Sequence, residues 1–149
     1  MKKKILLIIP IIIIGYSIYY YQSTKVLRNI ESQIKESNKI DFTKINFFNW
    51  DQLIILGPYS TIKSTEIKYK INLTDADNSI EMFDNINSII FLKNKRLVEQ
   101  VNLSRGLGEF TFNKNPIERD SAIFVYRKVK LNHYKNIYLK KFIQQVQPQ

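Results

Sequence analysis

Residues 88–103 read Ser-Ile-Ile-Phe-Leu-Lys-Asn-Lys-Arg-Leu-Val-Glu-Gln-Val-Asn-Leu, and this stretch decides the fold class of the chain. Two runs rich in Ile, Leu, Val and Phe, 88–92 and 97–103, flank the polar tetrapeptide 93–96. Apolar runs of this length are typical of β-strands, and a short polar segment between two of them is typical of a hairpin turn. The stretch therefore predicts an antiparallel β-hairpin.

Further strand patterns lie on both sides of the hairpin. Upstream, residues 47–56 end at a Gly-Pro pair, which is a turn signal, and we interpret them as a buried strand. Downstream, residues 109–112 alternate between polar and apolar side chains, and residues 123–129 form another largely apolar run. The tail, residues 134–146, is compatible with either a strand or a helix.

Two segments have the three- and four-residue spacing of apolar positions that is typical of a helix. One follows Ser23 and Thr24, which can cap it, and ends near Ser37 and Asn38. Its apolar positions are Val26, Leu27, Ile30 and Ile34. The other spans residues 60–71, and its candidate buried positions are Ile62, Ile67 and Ile71. Helices and strands together predict an α+β fold with a mainly antiparallel sheet.

The N-terminal segment has no charged residue between Ile5 and Tyr21, and ten of these positions are Ile or Leu. As a helix it would be about 26 Å long, which is close to the thickness of a bilayer's hydrocarbon core. We therefore predict an uncleaved transmembrane signal anchor in residues 1–22. The alternatives are a cleaved signal peptide, which should end in small residues rather than in tyrosines, and a buried helix of a soluble protein.

Three lysines, Lys2 to Lys4, precede the apolar segment and should remain in the cytoplasm. The rest of the chain is then expected to lie outside the cytoplasm, as a juxtamembrane helix (residues 23–40) followed by an extracytoplasmic α+β domain (residues 41–149). The expected location is the cell membrane, which the chain crosses once.

Composition narrows the functional classes. The 149 residues suffice for one domain of ordinary size, and the absence of cysteine excludes disulfides, thiolate metal sites and thiol nucleophiles. The net charge of +10 would attract anionic lipids, acidic polymers or nucleic acid. We expect an envelope protein or an anionic polymer as partner, and no nucleic acid, because no recognised nucleic-acid-binding module is visible. A Lys-rich solvated surface without such a partner is the alternative.

One local stretch resembles a known group of proteins. Residues 49–59, Asn-Trp-Asp-Gln-Leu-Ile-Ile-Leu-Gly-Pro-Tyr, are similar to a motif of small envelope-anchored bacterial proteins of unknown function. In these proteins an aromatic-Trp-Asp strand runs into Pro-Tyr, and a later hairpin resembles residues 88–103. The resemblance covers about half of the chain and implies an envelope location but no activity. Several of these proteins are lipoproteins, whereas this chain lacks the lipid-bearing cysteine.

The same stretch contains the candidate ligand-binding residues Trp50, Asp51 and Tyr59. An indole beside a carboxylate, with a phenol just beyond the same strand, could line a pocket for a ligand. The alternative is that Trp50 packs in the core while Asp51 caps a turn.

Three other motifs lack the residues that their chemistry requires. Residues 75–79 begin like a calcium loop, but Ile80 and Ile86 occupy the positions of its Gly and its bidentate Glu. The glycines within residues 105–108 precede a strand rather than the helix that a phosphate loop should open. His133, the chain's one histidine, lies among cations without a nucleophile motif nearby. We expect neither a metal nor a cofactor.

These patterns favour a non-enzymatic, single-pass membrane protein that presents a small binding or scaffolding domain in the cell envelope. One alternative is a subunit of an envelope machine. A further alternative, from a different class, is a hydrolase that uses carboxylates such as Asp51 and Asp120, for which sequence alone cannot establish the spacing.

Overall fold

A computed structural model describes residues 24–112, 114–132 and 137–145 of the chain. The predicted membrane segment and His133 lie outside the described residues. Among the residues that are described, no helix combines the length and the apolar character needed to cross a membrane. The helices, in chain order, are α1 (Lys25–Ser37), α2 (Ile62–Tyr69) and α3 (Ser79–Met82). The strands are β1 (Lys39–Asp41), β2 (Gln52–Leu56), β3 (Ile86–Lys93), β4 (Arg96–Ser104), β5 (Glu109–Thr111), β6 (Ile117–Glu118), β7 (Ile123–Asn132) and β8 (Ile137–Gln144).

In this part of the chain the strands form two four-stranded sheets, with the orders β1-β7-β8-β5 and β4-β3-β2-β6. We call these the first and the second sheet. Neighbouring strands pair antiparallel, except that β5 and β8 are parallel. The predicted α+β class with mainly antiparallel pairing is confirmed, and the division into two sheets is a feature that the sequence patterns did not show.

The hairpin of β3 and β4 has the predicted position, and Lys93 pairs with Arg96 across its turn. Both central turn residues, Asn94 and Lys95, have positive φ, at 50° and 63°. This backbone twist matches the right-handed twist of the flanking strands. A register shift next to Phe91 gives β4 one extra residue and so bends the hairpin.

Strands β2 and β3, at the centre of the second sheet, are buried on both faces. One face belongs to the main core, to which the first sheet and α1 also contribute. The buried residues of the main core are Val26, Ile30, Ile40, Phe42, Ile45, Trp50, Leu53, Ile55, Ile89, Phe91, Val101, Leu103, Ile117, Ala122, Phe124 and Phe142. The other face packs against α2, α3 and the loop between them in a second core, formed by Ile54, Leu56, Ile71, Leu73, Ile80, Ile90 and Leu92. Double burial explains why residues 53–56 of β2 and 89–92 of β3 are continuously apolar instead of alternating.

Helix α1 contributes directly to the main core through Val26 and Ile30. It ends at Ser37 because Asn38 adopts the left-handed conformation, with φ of 49°, that asparagine tolerates at a helix C-terminus. The next residue begins β1, which pairs with β7. The helix is therefore packed against the sheets from its first turn.

Several predicted boundaries need correction. The strand predicted over residues 47–56 begins only at Gln52, because the preceding residues form a loop around Trp50. Helix α2 is confirmed, but the prediction that Ile67 is buried was wrong, since its side chain is 69% exposed. Thr65 is the buried residue of this helix. Ile67, two residues further, lies about 200° around the helix axis from Thr65 and is therefore on the exposed side. The tail forms strand β8 rather than a helix.

Candidate functional site

Trp50 organises the loop that precedes β2, residues 45–51, which we call the Trp50 loop. Its side chain is only 1% exposed, and its indole N–H donates a 2.8 Å hydrogen bond to the carbonyl of Ile45. The ring meets Phe91 of the hairpin edge-on, with 5.1 Å between the centroids. The indole thus bends the loop back on itself while its apolar body fills the main core.

Arg119 also packs on the indole, with its guanidinium carbon 4.9 Å from the ring centroid. The same guanidinium donates hydrogen bonds to the carbonyl oxygens of Thr43 (3.2 Å), Ile45 (3.3 Å) and Trp50 (3.4 Å). Arginine suits this position because its planar fork of donors can reach several acceptors while its face stacks on an aromatic ring. The guanidinium therefore ties the start of the Trp50 loop to its end.

Asp51 joins the Trp50 loop to the tip of the hairpin. Its Oδ2 accepts a hydrogen bond from the backbone N–H of Asn94 (3.0 Å) and lies 3.6 Å from the ammonium of Lys93. Its backbone N–H donates to Leu92, and its carbonyl accepts from the backbone N–H of Arg119, both at 2.9 Å. The carboxylate therefore caps the hairpin turn, which is the role that the alternative interpretation of the sequence gave to Asp51.

Tyr59 lies beyond the opposite end of β2. Its side chain is 65% exposed, its φ is 60°, and its backbone N–H donates to the carbonyl of Ile80. The strand between it and Asp51 is roughly 16 Å long at about 3.3 Å per residue. The structure therefore brings Trp50 and Asp51 together but does not bring Tyr59 to them. Ligand binding by these three residues stays a prediction.

Exposed cations lie beside the Trp50 loop and at the hairpin tip that Asp51 joins to it. The Lys25 ammonium, at the start of α1, lies 4.0 Å from the ring centroid of Phe47, and Phe47 is 38% exposed. The adjacent Phe48 packs on Phe91 at 5.2 Å, close to the hairpin tip. We call this surface the basic end and define it by the exposed residues Lys25, Lys44, Phe47, Lys95 and Arg96.

A different surface lies at the far end of β2. Met82 and Phe83 are 65% and 52% exposed, and Tyr59 is hydrogen-bonded to Ile80, two residues before Met82. We call these three exposed side chains, Tyr59, Met82 and Phe83, the apolar patch. Gln52, which starts β2, pairs with Leu92 next to the hairpin tip, whereas Leu56, which ends β2, pairs with Ser88. The basic end lies beyond the first of these pairs and the apolar patch beyond the second, so the two surfaces are at opposite ends of the β2–β3 pair.

The segment that resembles the start of a calcium loop has a structural role. Asp77 Oδ1 accepts hydrogen bonds from the hydroxyl (2.6 Å) and the backbone N–H (2.9 Å) of Ser79. Its Oδ2 accepts from the Asn102 amide at 2.7 Å, and Gln100 holds the Asp77 backbone. The Ser79 hydroxyl is the main cause of the lowered pKa of Asp77. These bonds fasten the loop to β4.

Glu66 stabilises the same region from α2. Its Oε1 accepts the backbone N–H of Leu73 at 2.7 Å, and this bond is the main cause of its lowered pKa. Residues around it, including Lys63, Ile67 and Asn72, line a shallow depression of about 270 Å³. Neither Trp50 nor Tyr59 lines this depression.

The remaining sequence candidates are Arg105 and Asp120. The Arg105 guanidinium donates to the carbonyl of Asp84 at 2.7 Å and is also paired with Glu109. Asp120 is exposed in the turn that follows β6. Among residues 24–112, 114–132 and 137–145, no three His, Asp or Glu side chains are grouped so that they could hold a metal ion.

Sequence reasoning identified Trp50 and Asp51 but missed Arg119. Arg119 lies in the charged run Glu-Arg-Asp, which is typical of an exposed surface, and it is separated from Trp50 by 69 residues.

Comparison with known proteins adds no assignment: no protein-family model, no curated protein and no solved structure matches the chain.

Proposed function

We propose that the chain is a single-pass membrane protein that presents its α+β domain for binding or scaffolding in the cell envelope, outside the cytoplasm. The observation that carries this proposal is the uncharged run from Ile5 to Tyr21, which ends four residues before Lys25. About ten Ile or Leu residues in a helix would contribute on the order of −3 to −6 kcal/mol to insertion. The resemblance of residues 49–59 to envelope-anchored proteins points to the same location.

The binding role is supported by the surface of the domain. The three apolar side chains of the apolar patch are more than half exposed, although the fold buries Trp50 and Phe91 almost completely. Exposed apolar groups that lie together are a common feature of protein-contact surfaces. The proposed anchor leads into Lys25, which belongs to the basic end. The apolar patch lies at the opposite end of the β2–β3 pair, and so it is well placed to contact a partner.

Fractionation of cells that express the full chain tests the anchor. We expect the protein to remain in the membrane pellet after alkaline carbonate and to be released by detergent, because a spanning helix is held by apolar contact rather than by charge. A C-terminal tag should be cleaved by external protease in cells whose outer layers are permeable to it. Release by carbonate, or a tag that is protected until the cells are lysed, would refute the proposed topology.

The binding role is tested with a photo-crosslinking amino acid at position 82, in the apolar patch, and a matched one at Lys68, an exposed position on α2. We expect discrete crosslinked species from position 82 that are absent from position 68. Identical products from both positions would argue against the patch as the contact surface.

A further inference from the structure

We infer that the basic end of the domain docks onto the anionic headgroup surface of the membrane that anchors the chain, and so holds the domain in one orientation. This inference rests on the proposed anchor. The docking surface is formed by Lys25, Lys44, Phe47, Lys95 and Arg96, which come from three separate segments of the chain.

The length of the connection determines which end of the domain lies nearest the bilayer. Only four peptide units separate Tyr21, the last residue of the apolar run, from Lys25, so their Cα atoms are at most about 14 Å apart. Lys25 is already in α1, which is packed into the main core at Val26. The start of α1 therefore cannot move away from the bilayer without the whole domain moving with it.

Contacts of the Trp50 loop extend this membrane-proximal region beyond α1. Lys25 touches Phe47 at 4.0 Å, and Asp51 accepts a hydrogen bond from Asn94 at the hairpin tip. The first turn of α1, the Trp50 loop and the hairpin tip thus form one connected surface. The apolar patch lies beyond the other end of β2.

The chemistry of the basic end fits an anionic lipid surface. Its four cations are exposed, whereas the cation nearest to Asp51, Lys93, is already paired with that carboxylate. Two more carboxylates, Glu118 and Asp120, lie close to the start of β2, and Glu118 accepts a hydrogen bond from Gln52. Cations therefore remain in excess. Phe47 adds an exposed ring, and aromatic rings partition well into the headgroup region.

The test uses the full chain, reconstituted into vesicles with about one third anionic lipid. The negative surface potential of such a membrane attracts lysine and arginine side chains close to it. Because the chain has no cysteine, single cysteines can be introduced as Asn46→Cys, in the Trp50 loop, and Met82→Cys, in the apolar patch. Each is labelled with a membrane-impermeant fluorophore, and a quencher is carried on the lipid headgroups. We expect strong quenching at position 46 and several-fold weaker quenching at position 82.

Docking, as distinct from tethering alone, should depend on charge. Each cation near an anionic leaflet is worth roughly a fivefold change in equilibrium, so removing three should shift the docked population on the order of 100-fold. The triple variant Lys44→Gln, Lys95→Gln, Arg96→Gln should therefore lose most of the quenching at position 46. Neutral lipid, or salt raised to about 0.5 M, should have the same effect. The control variant Lys35→Gln, Arg127→Gln, Lys128→Gln removes three exposed cations near the opposite end of α1 and should behave like the parent.

The possible results distinguish the two proposals. The docking is overturned, and the anchor is left intact, if the protein resists carbonate but quenching at position 46 does not change with lipid charge, salt or the triple substitution. Equal quenching at positions 46 and 82 also overturns the docking. Extraction of the reconstituted parent protein by carbonate overturns the proposed anchor itself.

Discussion

At the scale of single residues, the contacts around Trp50 show how a few polar groups stabilise an irregular loop. Residues 45–51 lack the regular hydrogen bonds of a strand. The indole N–H of Trp50, the guanidinium of Arg119 and the carboxylate of Asp51 hold the loop in their place. The sequence drew attention to Trp50 and Asp51 because an indole beside a carboxylate could line a ligand pocket. It contained no comparable signal for Arg119, because that contact forms between residues that are far apart in the chain.

We predict that Arg119→Lys lowers the free energy of unfolding by about 1–3 kcal/mol, because a lysine ammonium cannot serve three carbonyl acceptors and stack on the indole at once. Urea denaturation of the detergent-solubilised full chain, followed by the fluorescence of its single tryptophan, measures the change. Arg127→Lys, at an exposed position on β7, is the matched control. Equal stability of the two variants would contradict the clamping role of Arg119.

The lowered pKa of Asp77 predicts a pH-dependent contribution to stability. Hydrogen bonds from Ser79, and then from Asn102, hold the pKa below its ordinary value of 3.8, although burial acts in the opposite direction. Because the folded pKa is lower than the unfolded one, this stabilisation is fully present above about pH 4 and is lost as the pH falls through the folded pKa. We therefore expect Asp77→Asn to be less stable than the parent at neutral pH and to approach it in acid.

Denaturation of the parent and Asp77→Asn at a series of pH values checks this prediction. Asp75→Asn, which removes an exposed carboxylate two residues away, serves as the comparison. A stability difference between the parent and Asp77→Asn that stayed constant from neutral to acidic pH would show that the charge of Asp77 is not responsible.

At the scale of elements, the central observation is that β2 and β3 are covered on both sides. Their continuous apolar runs predicted burial, but a run of this kind does not say what covers each face. The short helices α2 and α3 cover one face, although α2 is weakly apolar and its buried residue is a threonine. Local periodicity could therefore locate α2 but could not identify its inner side, which is why Ile67 was assigned wrongly.

Double burial predicts that neighbouring residues of β2 are equally sensitive to truncation. Leu53 faces the main core and Ile54 faces the second core, and both are fully buried. We expect Leu53→Ala and Ile54→Ala each to lower the free energy of unfolding by about 2–5 kcal/mol, measured by urea denaturation. Ile67→Ala, on the exposed side of α2, should change it by less than about 0.5 kcal/mol. A comparably small effect of Ile54→Ala would mean that the second core contributes little.

At the scale of the whole molecule, the fold gives the domain two unlike ends. The basic end combines the start of α1, the Trp50 loop and the hairpin tip, whereas the apolar patch lies beyond the far end of β2. A domain tethered within about 14 Å of a bilayer at one of these ends has little freedom to turn over. The proposed docking and the proposed partner contact are therefore compatible, because each uses a different end.

The sequence alone determined the features that depend on neighbouring residues. These are the central hairpin, the α+β class and the uncharged N-terminal run on which the proposed membrane location depends, because burial and turn formation leave periodic or contiguous patterns in the chain. Only the tertiary structure decided that there are two sheets, that Arg119 lies against Trp50, and that Tyr59 lies far from Asp51. Those features arise from packing between segments many residues apart, and packing of that kind leaves no periodic pattern in the sequence.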